Sequence, residues 1–594
     1  MNRMNQIKLA SHVPHSSIAE VSLGVQLRIA LALLVLTSCG PETSIGPSAV
    51  LITLDTTRAD VIGCYGEDPE GSVTPELDKL ASEGVLYLNA HTSAPITLPA
   101  HASMLTGLYP LRHSVRDNAL WALPSAATTL AEHAAAKGIQ TAAFVSSIVL
   151  DRSYGLAQGF EHYEQPGREA LRASSHAVEL NGRAVVIRVI EWLKRRDRSR
   201  PMLLWVHLFD PHGPYEPPER FSKGVYARQR NYYGEVAFMD EQIGRLIKAL
   251  DEDGALEDTT ILVVADHGEA FGEHGEISHG AYTYESTLRV PMIVRFPDGS
   301  RAGEASNENV SVVDVFPTLS DALGLPQVSG LDGLSLFHQR VPSDRGVYFE
   351  SFQGHLSFNW SPLTGWLDST GKYVHSARPK FFSTLAEDVD NFQNSPNQIK
   401  AHLESLTSLA ALERLEIESL ADADEQLLDG IRALGYTSVA GERDALPEPT
   451  APSNLADPAE RVDEYNQCLV ALELANAARY TEAIRLFRSV LEGNPSNFFA
   501  LDRLGFALVA EKRYAEAIEP LEQMVALGPK WPHSLLNLGI SNLETGDMDG
   551  AVSAFTSALE LDSKVSNDID AFAKRLSQSG RDELAAQLLE RLKR

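Results

Sequence analysis

Cysteine is nearly absent from this chain: three residues in 594, Cys39, Cys64 and Cys468. Three cannot form a disulfide framework, and their spacing fits no thiolate zinc site. Basic residues are also scarce. Lys and Arg total 51 against 80 Asp and Glu, a formal net charge of −29, which removes the positive footprint that nucleic-acid binding needs. The acidity reads as a solvated surface. No run of about 18 uninterrupted apolar residues follows Cys39, so everything after it is expected on one side of a membrane. The length exceeds one core, and one large and one smaller domain are expected.

A leader is expected at the N-terminus. Arg28 precedes the apolar run Ile29 to Leu36, and Thr37-Ser38-Cys39-Gly40 follows. A basic flank, a short apolar core and small residues form a secretory signal over residues 1–39. The long stretch before the apolar core leaves Met4 open as an alternative start. Leu36-Thr37-Ser38-Cys39 is similar to the bacterial lipobox, which implies lipidation of Cys39 at the mature N-terminus. Plain signal cleavage is the alternative. The expectation is a lipid-anchored protein of the bacterial cell envelope, outside the cytoplasm. Cys64 reads as a turn residue and Cys468 as buried helix filler.

After a polar tether at 41–48, Ala49–Leu54, Met202–Val206 and Ile261–Ala265 are continuous apolar runs ending at Asp55, His207 and Asp266. Such runs suit buried parallel strands. Amphipathic helical stretches, such as 126–137 and 235–250, lie between them. The alternation predicts an α/β domain over 45–440, a mostly parallel sheet sandwiched by helices, with ligands bound beyond the carboxyl ends of strands.

Residues 441–460, with Pro447, Pro449, Pro452 and Pro458, read as a linker. From 464 to 594 a repeat takes over. Ala483, Ala517, Ala551 and Ala585 recur every 34 residues, and Leu504-Gly505 with Leu538-Gly539, Tyr480 with Tyr514, and Pro495 with Pro529 keep the same period. This is similar to tetratricopeptide repeats, which implies an all-α array with a concave surface for a protein partner. Three repeats fit in about 464–565, with a fourth cut short at the C-terminus.

Beyond the strand ends, Asp55, Asp266 and His267 offer two hard oxygen ligands and an imidazole, a set suited to one divalent ion, Mn²⁺ or Zn²⁺ before Ca²⁺. A metal beside Thr97 would make its hydroxyl a nucleophile and stabilise charge on a phosphoryl or sulfuryl oxygen. Taken singly, the two aspartates read equally well as helix N-caps and His267 as a satisfied core histidine.

Order and context add to this. Leu54-Asp55-Thr56-Thr57-Arg58 with Gly63-Cys64-Tyr65-Gly66, Thr97 to Gly107, Asp210-Pro211-His212-Gly213-Pro214, Asp266-His267-Gly268-Glu269, His279-Gly280 and Val313 to Leu319 resemble the sulfatase branch of the alkaline phosphatase superfamily. The resemblance spans about 49–436. It implies that family's α/β fold and a metal-dependent esterase site.

The departures narrow the chemistry. Sulfatases of this branch carry a Cys or Ser that is oxidised to formylglycine, whereas Thr97 cannot become that aldehyde. With one hydroxyl, a Thr97 adduct must be released by attack at phosphorus or sulfur, ordinary for phosphoryl groups and awkward for sulfate esters. The family's arginine near the nucleophile falls on His101, a further metal-site Asp on Thr56, a Lys-x-His pair on Ser146 and Ile148, and a later lysine on His279. Thr97 with an Asp-His metal pair is more similar to phosphodiesterase, phosphonate-ester hydrolase and phosphoethanolamine-transferase relatives.

The expected assignment follows. Thr97 is the nucleophile, and His212 and His279 are catalytic candidates. His101 and Asn118 contact substrate, and Asp55, Asp266 and His267 hold one ion. His274 is ambiguous between loop and site. The substrate is a small-molecule or envelope phosphate or phosphonate ester. Sulfate-ester hydrolysis, or a non-catalytic adaptor acting through the repeats, is the alternative. Expected partners are a protein at the repeats and the membrane through the lipid, with no nucleic acid.

Overall fold

The computed structural model describes residues 46–593 except 67–72, 120, 168–178, 223–227, 338–339, 385, 388, 420–445, 528–530 and 562. The leader, Cys39 and the start of the 441–460 stretch lie outside the described residues.

The strands are β1 (Ser48–Leu54), β2 (Val85–His91), β3 (Trp121–Ala122), β4 (Gln140–Phe144), β5 (His162–Glu164), β6 (Met202–Leu208), β7 (Thr259–Ala265), β8 (Met292–Arg295) and β9 (Glu304–Ser311). All but β3 form one sheet in the order β5-β4-β6-β1-β7-β8-β2-β9. Its pairings are parallel except on the two sides of β8. The apolar runs read from the sequence are β1, β6 and β7, and every residue of each is buried, as expected for strands covered on both faces.

Helices flank the sheet. Five matter below: α1 (Thr97–Thr106), α2 (Leu130–Ala135), α3 (Gly182–Leu193), α4 (Arg228–Asp253) and α5 (Val315–Ala322). α1 and α2 pack with α5, and α3 packs with α4. The stretch expected at 126–137 is the shorter α2, opened by a capping box between Thr129 and Glu132. The 235–250 stretch lies inside the 26-residue α4.

An antiparallel sheet follows, β10 (Val347–Ser351), β11 (Leu363–Asp368), β12 (Gly371–His375) and β13 (Lys380–Phe382), and β14 (Glu418–Ser419) returns to pair with β3. The described part of the proline-rich stretch is docked on this sheet. Ser361 N donates to Ala456 O at 2.9 Å, and Asp457 accepts from the Ser376 hydroxyl.

The C-terminal region is helical: α6 (Val462–Asn476), α7 (Tyr480–Gly493), α8 (Phe498–Ala510), α9 (Tyr514–Ala526), α10 (Pro532–Thr545), α11 (Met548–Leu561), α12 (Ser566–Gln578) and α13 (Asp582–Leu592). The second helices of the four pairs start at 480, 514, 548 and 582, and the last of them is 11 residues long. Small residues sit where helices cross. Ala483, Ala517 and Ala551 are fully buried, and a Cβ on Gly539 would come within 2.5 Å of the Phe555 ring. Among the described residues no helix is long and apolar enough to cross a membrane.

Candidate active site

Strand register brings the two aspartates together. Leu54 of β1 pairs with Ala265 of β7, so Asp55 and Asp266 leave adjacent strands side by side. Asp55 N donates to Leu208 O at 2.9 Å and Asp266 N to Leu54 O at 3.1 Å. Leu208 still belongs to β6, paired with Leu54. His207 therefore lies within the strand and not just beyond its end, with its Nε2 3.4 Å from Asp55 Oδ2.

Asp55, Asp266 and His267 are completely buried. Asp266 Oδ1 accepts from His267 N at 2.7 Å and Thr56 N at 3.2 Å. Thr56 adopts φ +46 to make this contact, in a region that a β-branched residue rarely enters. Asp266 Oδ2 and both Asp55 oxygens have no hydrogen-bond partner. Burial pushes Asp55 up to about 6, and burial followed by the Asp55 charge pushes Asp266 to about 7.

His267 Nδ1 donates to Gly268 O at 2.9 Å. The neutral ring then has its lone pair on Nε2, which lies 3.6 Å from Asp266 Oδ2 and 3.8 Å from Asp55 Oδ1. Burial, followed by His279, lowers this imidazole to about 4, which keeps it neutral. Unpaired buried carboxylate oxygens are costly unless a cation balances them. The two carboxylates and this imidazole nitrogen lie within 4.8 Å of one another. The donor set fits a divalent cation.

Thr97 opens α1, and its Oγ1 is 3.4 Å from His267 Nε2. Asn118 Oδ1 accepts from Leu98 N at 2.8 Å, in the first turn of that helix, and Asn118 Nδ2 is buried without a partner. His101, one turn on, donates from Nδ1 to Thr97 O at 2.8 Å. Its fully buried ring lies against Trp205 and His207, and its Nε2 has no partner. Burial lowers His101 to about 3 and His207 to about 4.

His279 stands on the other side of His267, ring centroids 4.5 Å apart. Its Nδ1 is 3.1 Å from Glu269 Oε1, and Tyr215 Oη donates to Glu269 Oε2 at 2.6 Å. Burial alone would lower His279, but the Glu269 carboxylate outweighs it and raises the imidazole. Burial would likewise raise Glu269, yet His279 and Tyr215 hold it at about 2. His212, 5.3 Å from His279 and stacked on Phe209, is lowered to about 3 by burial and then by the His279 charge. His274 is exposed, stacked on Tyr284 at 4.1 Å.

Sequence reasoning overlooked three partners: His207, Glu269 and Tyr215. The signal for His207 was a lone imidazole in the apolar Trp205-Val206-His207-Leu208 run, on the strand next to Asp55. Ser146, at the position of the family's lysine, supports His207. Its Oγ lies 2.7 Å from His207 Nδ1 and 2.8 Å from His207 O. His101, His207 and Asp266 make a second potential ligand triad that shares Asp266 with the first.

The sulfatase family model matches residues 47–325. Residues 47–325 are a sulfatase domain. It belongs to the alkaline phosphatase superfamily, and its relatives indicate an ester hydrolase. An arylsulfatase of Clostridium perfringens is 24% identical over 485 residues, covering 66% of this chain and 98% of the relative. A multifunctional alkaline phosphatase superfamily protein of Trinickia caryophylli is 25% identical over 468 residues, 58% of this chain and 90% of its own. Among solved structures, the phosphonate monoester hydrolase of Agrobacterium radiobacter aligns over 61% of this chain and 95% of its own. The TM-score is 0.52 at 22% identity, a likeness of fold.

Proposed function

We propose that this sulfatase-family hydrolase cleaves phosphate or phosphonate esters through a covalent ester on Thr97. The supporting observation is the placement of the Thr97 hydroxyl 3.4 Å from His267 Nε2, beside buried carboxylate oxygens without hydrogen-bond partners that a cation would balance. Asp55, Asp266 and His267 would hold one divalent ion, Mn²⁺ or Zn²⁺ before Ca²⁺. Such an ion supplies positive charge that favours the threonine alkoxide and offsets charge on the transferred group.

The chain's own groups carry the remaining steps. Thr97 loses its proton to solvent and its oxygen attacks phosphorus. The bond to the leaving alcohol breaks, and His279, held by Glu269, gives its proton to that alcohol's oxygen. Water then attacks the phosphorus of the threonine ester and gives a proton to His279, the bond to the Thr97 oxygen breaks, and that oxygen takes a proton back from solvent. An alcohol in place of water would make the same site a transferase. Asn118 Nδ2, without a protein partner, is the donor assigned to a substrate oxygen, and His101, whose Nδ1 proton is held by Thr97 O, offers the free Nε2 lone pair to a protonated one. His212 packs beside His279 as an alternative leaving-group acid.

The 34-residue spacing of the helix starts supports a tetratricopeptide assignment for the C-terminal region and a protein partner at that array. The lipobox-like segment before Cys39 supports a lipid-anchored location in the bacterial envelope, and an ester exposed there as substrate.

The test is parallel turnover of an aryl phosphate monoester, a phosphate diester, a phosphonate monoester and a sulfate ester, with Mn²⁺, Zn²⁺ or Ca²⁺ added. Phosphoryl or phosphonyl turnover that disappears in Thr97→Ala is expected. Sulfate turnover alone would overturn the single-hydroxyl argument, and metal-free protein inactive on all four would favour an adaptor.

A further inference from the structure

His279 sits on a segment with little regular structure of its own. Between β7 and Glu285 the only helical turn is the short 3-10 turn Glu273–Gly275. The segment is pinned internally by a few backbone bonds, Gly272 N to Glu276 O at 2.7 Å and Ala270 N to Ser278 O at 3.1 Å. Backbone held by so few bonds drifts easily unless something outside the segment fixes it.

Outside support comes from Arg58 at Glu269 O, from Ser351 at Gly280 O and, at His279 itself, from α6, the first helix of the array. Tyr465 Oη donates to His279 O at 2.6 Å, and both residues are buried. Asn466 Nδ2 donates to Gly275 O at 2.8 Å. Gly275 adopts φ +84, and a Cβ there would come within 2.8 Å of Val462 Cγ1, so loop and helix touch closely. The Tyr465 ring packs edge-on against Tyr282 and Phe358, centroids 5.7 and 5.6 Å away. Glu464 ties the same turn down, accepting from Trp360 Nε1 at 3.2 Å and from Asn494 and Asn497 at 2.6 and 2.7 Å.

We propose that the helical array completes the active site, with Tyr465 acting as a positioning residue that fixes the His279 backbone through its carbonyl. Tyr465 does not reach the reacting atoms. It sets where the His279 ring stands relative to Glu269 on one side and His267 on the other. A displacement of about 1 Å at a proton-transferring group is enough to cost orders of magnitude in rate. The array is then both a candidate docking surface and the far wall of the catalytic loop. This inference rests on the reading of His279 as proton carrier, whereas the mechanical tie stands on the hydrogen bond alone.

The experiment uses the full chain carrying Tyr465→Phe, which removes one oxygen and keeps the ring on Tyr282 and Phe358. Hydrogen exchange is measured first, because it needs no substrate. Amides over 270–284 should exchange at least about 10-fold faster than in the wild type while those of β7 stay unchanged. Unchanged protection over 270–284 would overturn the proposal. Turnover is then measured in a double-mutant cycle with His279→Gln. Tyr465→Phe should lower kcat about 5- to 30-fold with less than a twofold change in KM, most strongly for esters of poor leaving groups. It should have less than a twofold effect when His279 is already Gln. An equal loss in both backgrounds would make Tyr465 a structural tie and nothing more. A wild-type chain inactive on every ester would sink the proposed reaction, while the exchange measurement would still decide whether Tyr465 holds the loop.

Discussion

In the helical array, Ala483, Ala517 and Ala551 are fully buried and Gly539 leaves room for Phe555. At the carboxyl end of the main sheet Asp55, Asp266, His101 and His207 are buried just as deeply, but each has a side-chain atom with no hydrogen-bond partner. The first region repeats one packing solution at a 34-residue step, and small residues recur because each helix crossing needs them. The second gathers groups that destabilise one another unless a cation or a substrate sits among them, the usual sign of a site selected for chemistry over stability. The two meet at α6, where the regular half holds a loop of the irregular half.

Four substitutions probe this contrast, ordered by their expected effect on turnover. Thr97→Ala should lower it by about 10³-fold or more and move the melting midpoint by no more than a few degrees. Melting curves run beside the assay check this, and an active variant would contradict the contrast at its centre. His279→Gln comes next, with a loss of about 10²-fold or more. The loss should be larger for alkyl than for aryl leaving groups, as read from a leaving-group series.

Asp266→Asn should weaken metal retention and lower turnover about 10-fold with metal in excess, and its more informative effect is on stability. Burial raises Asp55 to about 6 and Asp266 to about 7, above the value near 4 of an unfolded carboxyl. The metal-free folded chain therefore holds protons that the unfolded chain has released. The stability this contributes is full below about pH 4 and is lost as pH rises through 6 to 7. Metal-free Asp266→Asn should match the wild type in melting near pH 4 and exceed it by several degrees at pH 7.5. A gap that does not widen with pH would mean the buried carboxylates are not the strained element. Gly539→Val, in the array, should instead lower the melting midpoint through overpacking against Phe555, at about 1–3 kcal/mol, and leave kcat within twofold of the wild type. A large fall in kcat would show that strain in the array reaches the catalytic loop from far beyond α6.

What was legible follows the same divide. The helical character of the C-terminal region could be read from the chain because Ala483, Ala517, Ala551 and Ala585 recur at one spacing. The three buried strands were equally plain as apolar runs, and Thr97, Asp55, Asp266 and His267 stood out through their order and neighbours. His207 did not, because a histidine inside an apolar run reads as strand filler until register sets it beside Asp55. Glu269 and Tyr215 come from segments 54 residues apart, and Tyr465 is 186 residues from His279. No periodicity encodes such pairs, since they arise only when the sheet, the loop and α6 are assembled. The 441–460 stretch shows the opposite error of scale. Its prolines mark it as a linker, while the strand ends that Ala456 and Asp457 dock on, at Ser361 and Ser376, are not visible in the segment itself.

The most direct test of the account is rapid-quench mass spectrometry of the metal-loaded chain turning over a phosphate diester or phosphonate monoester. The account predicts a phosphoryl or phosphonyl adduct on the peptide that contains Thr97, formed within one turnover and absent from Thr97→Ala. Steady turnover with that peptide unmodified at every quench time, and retained by Thr97→Ala, would contradict it.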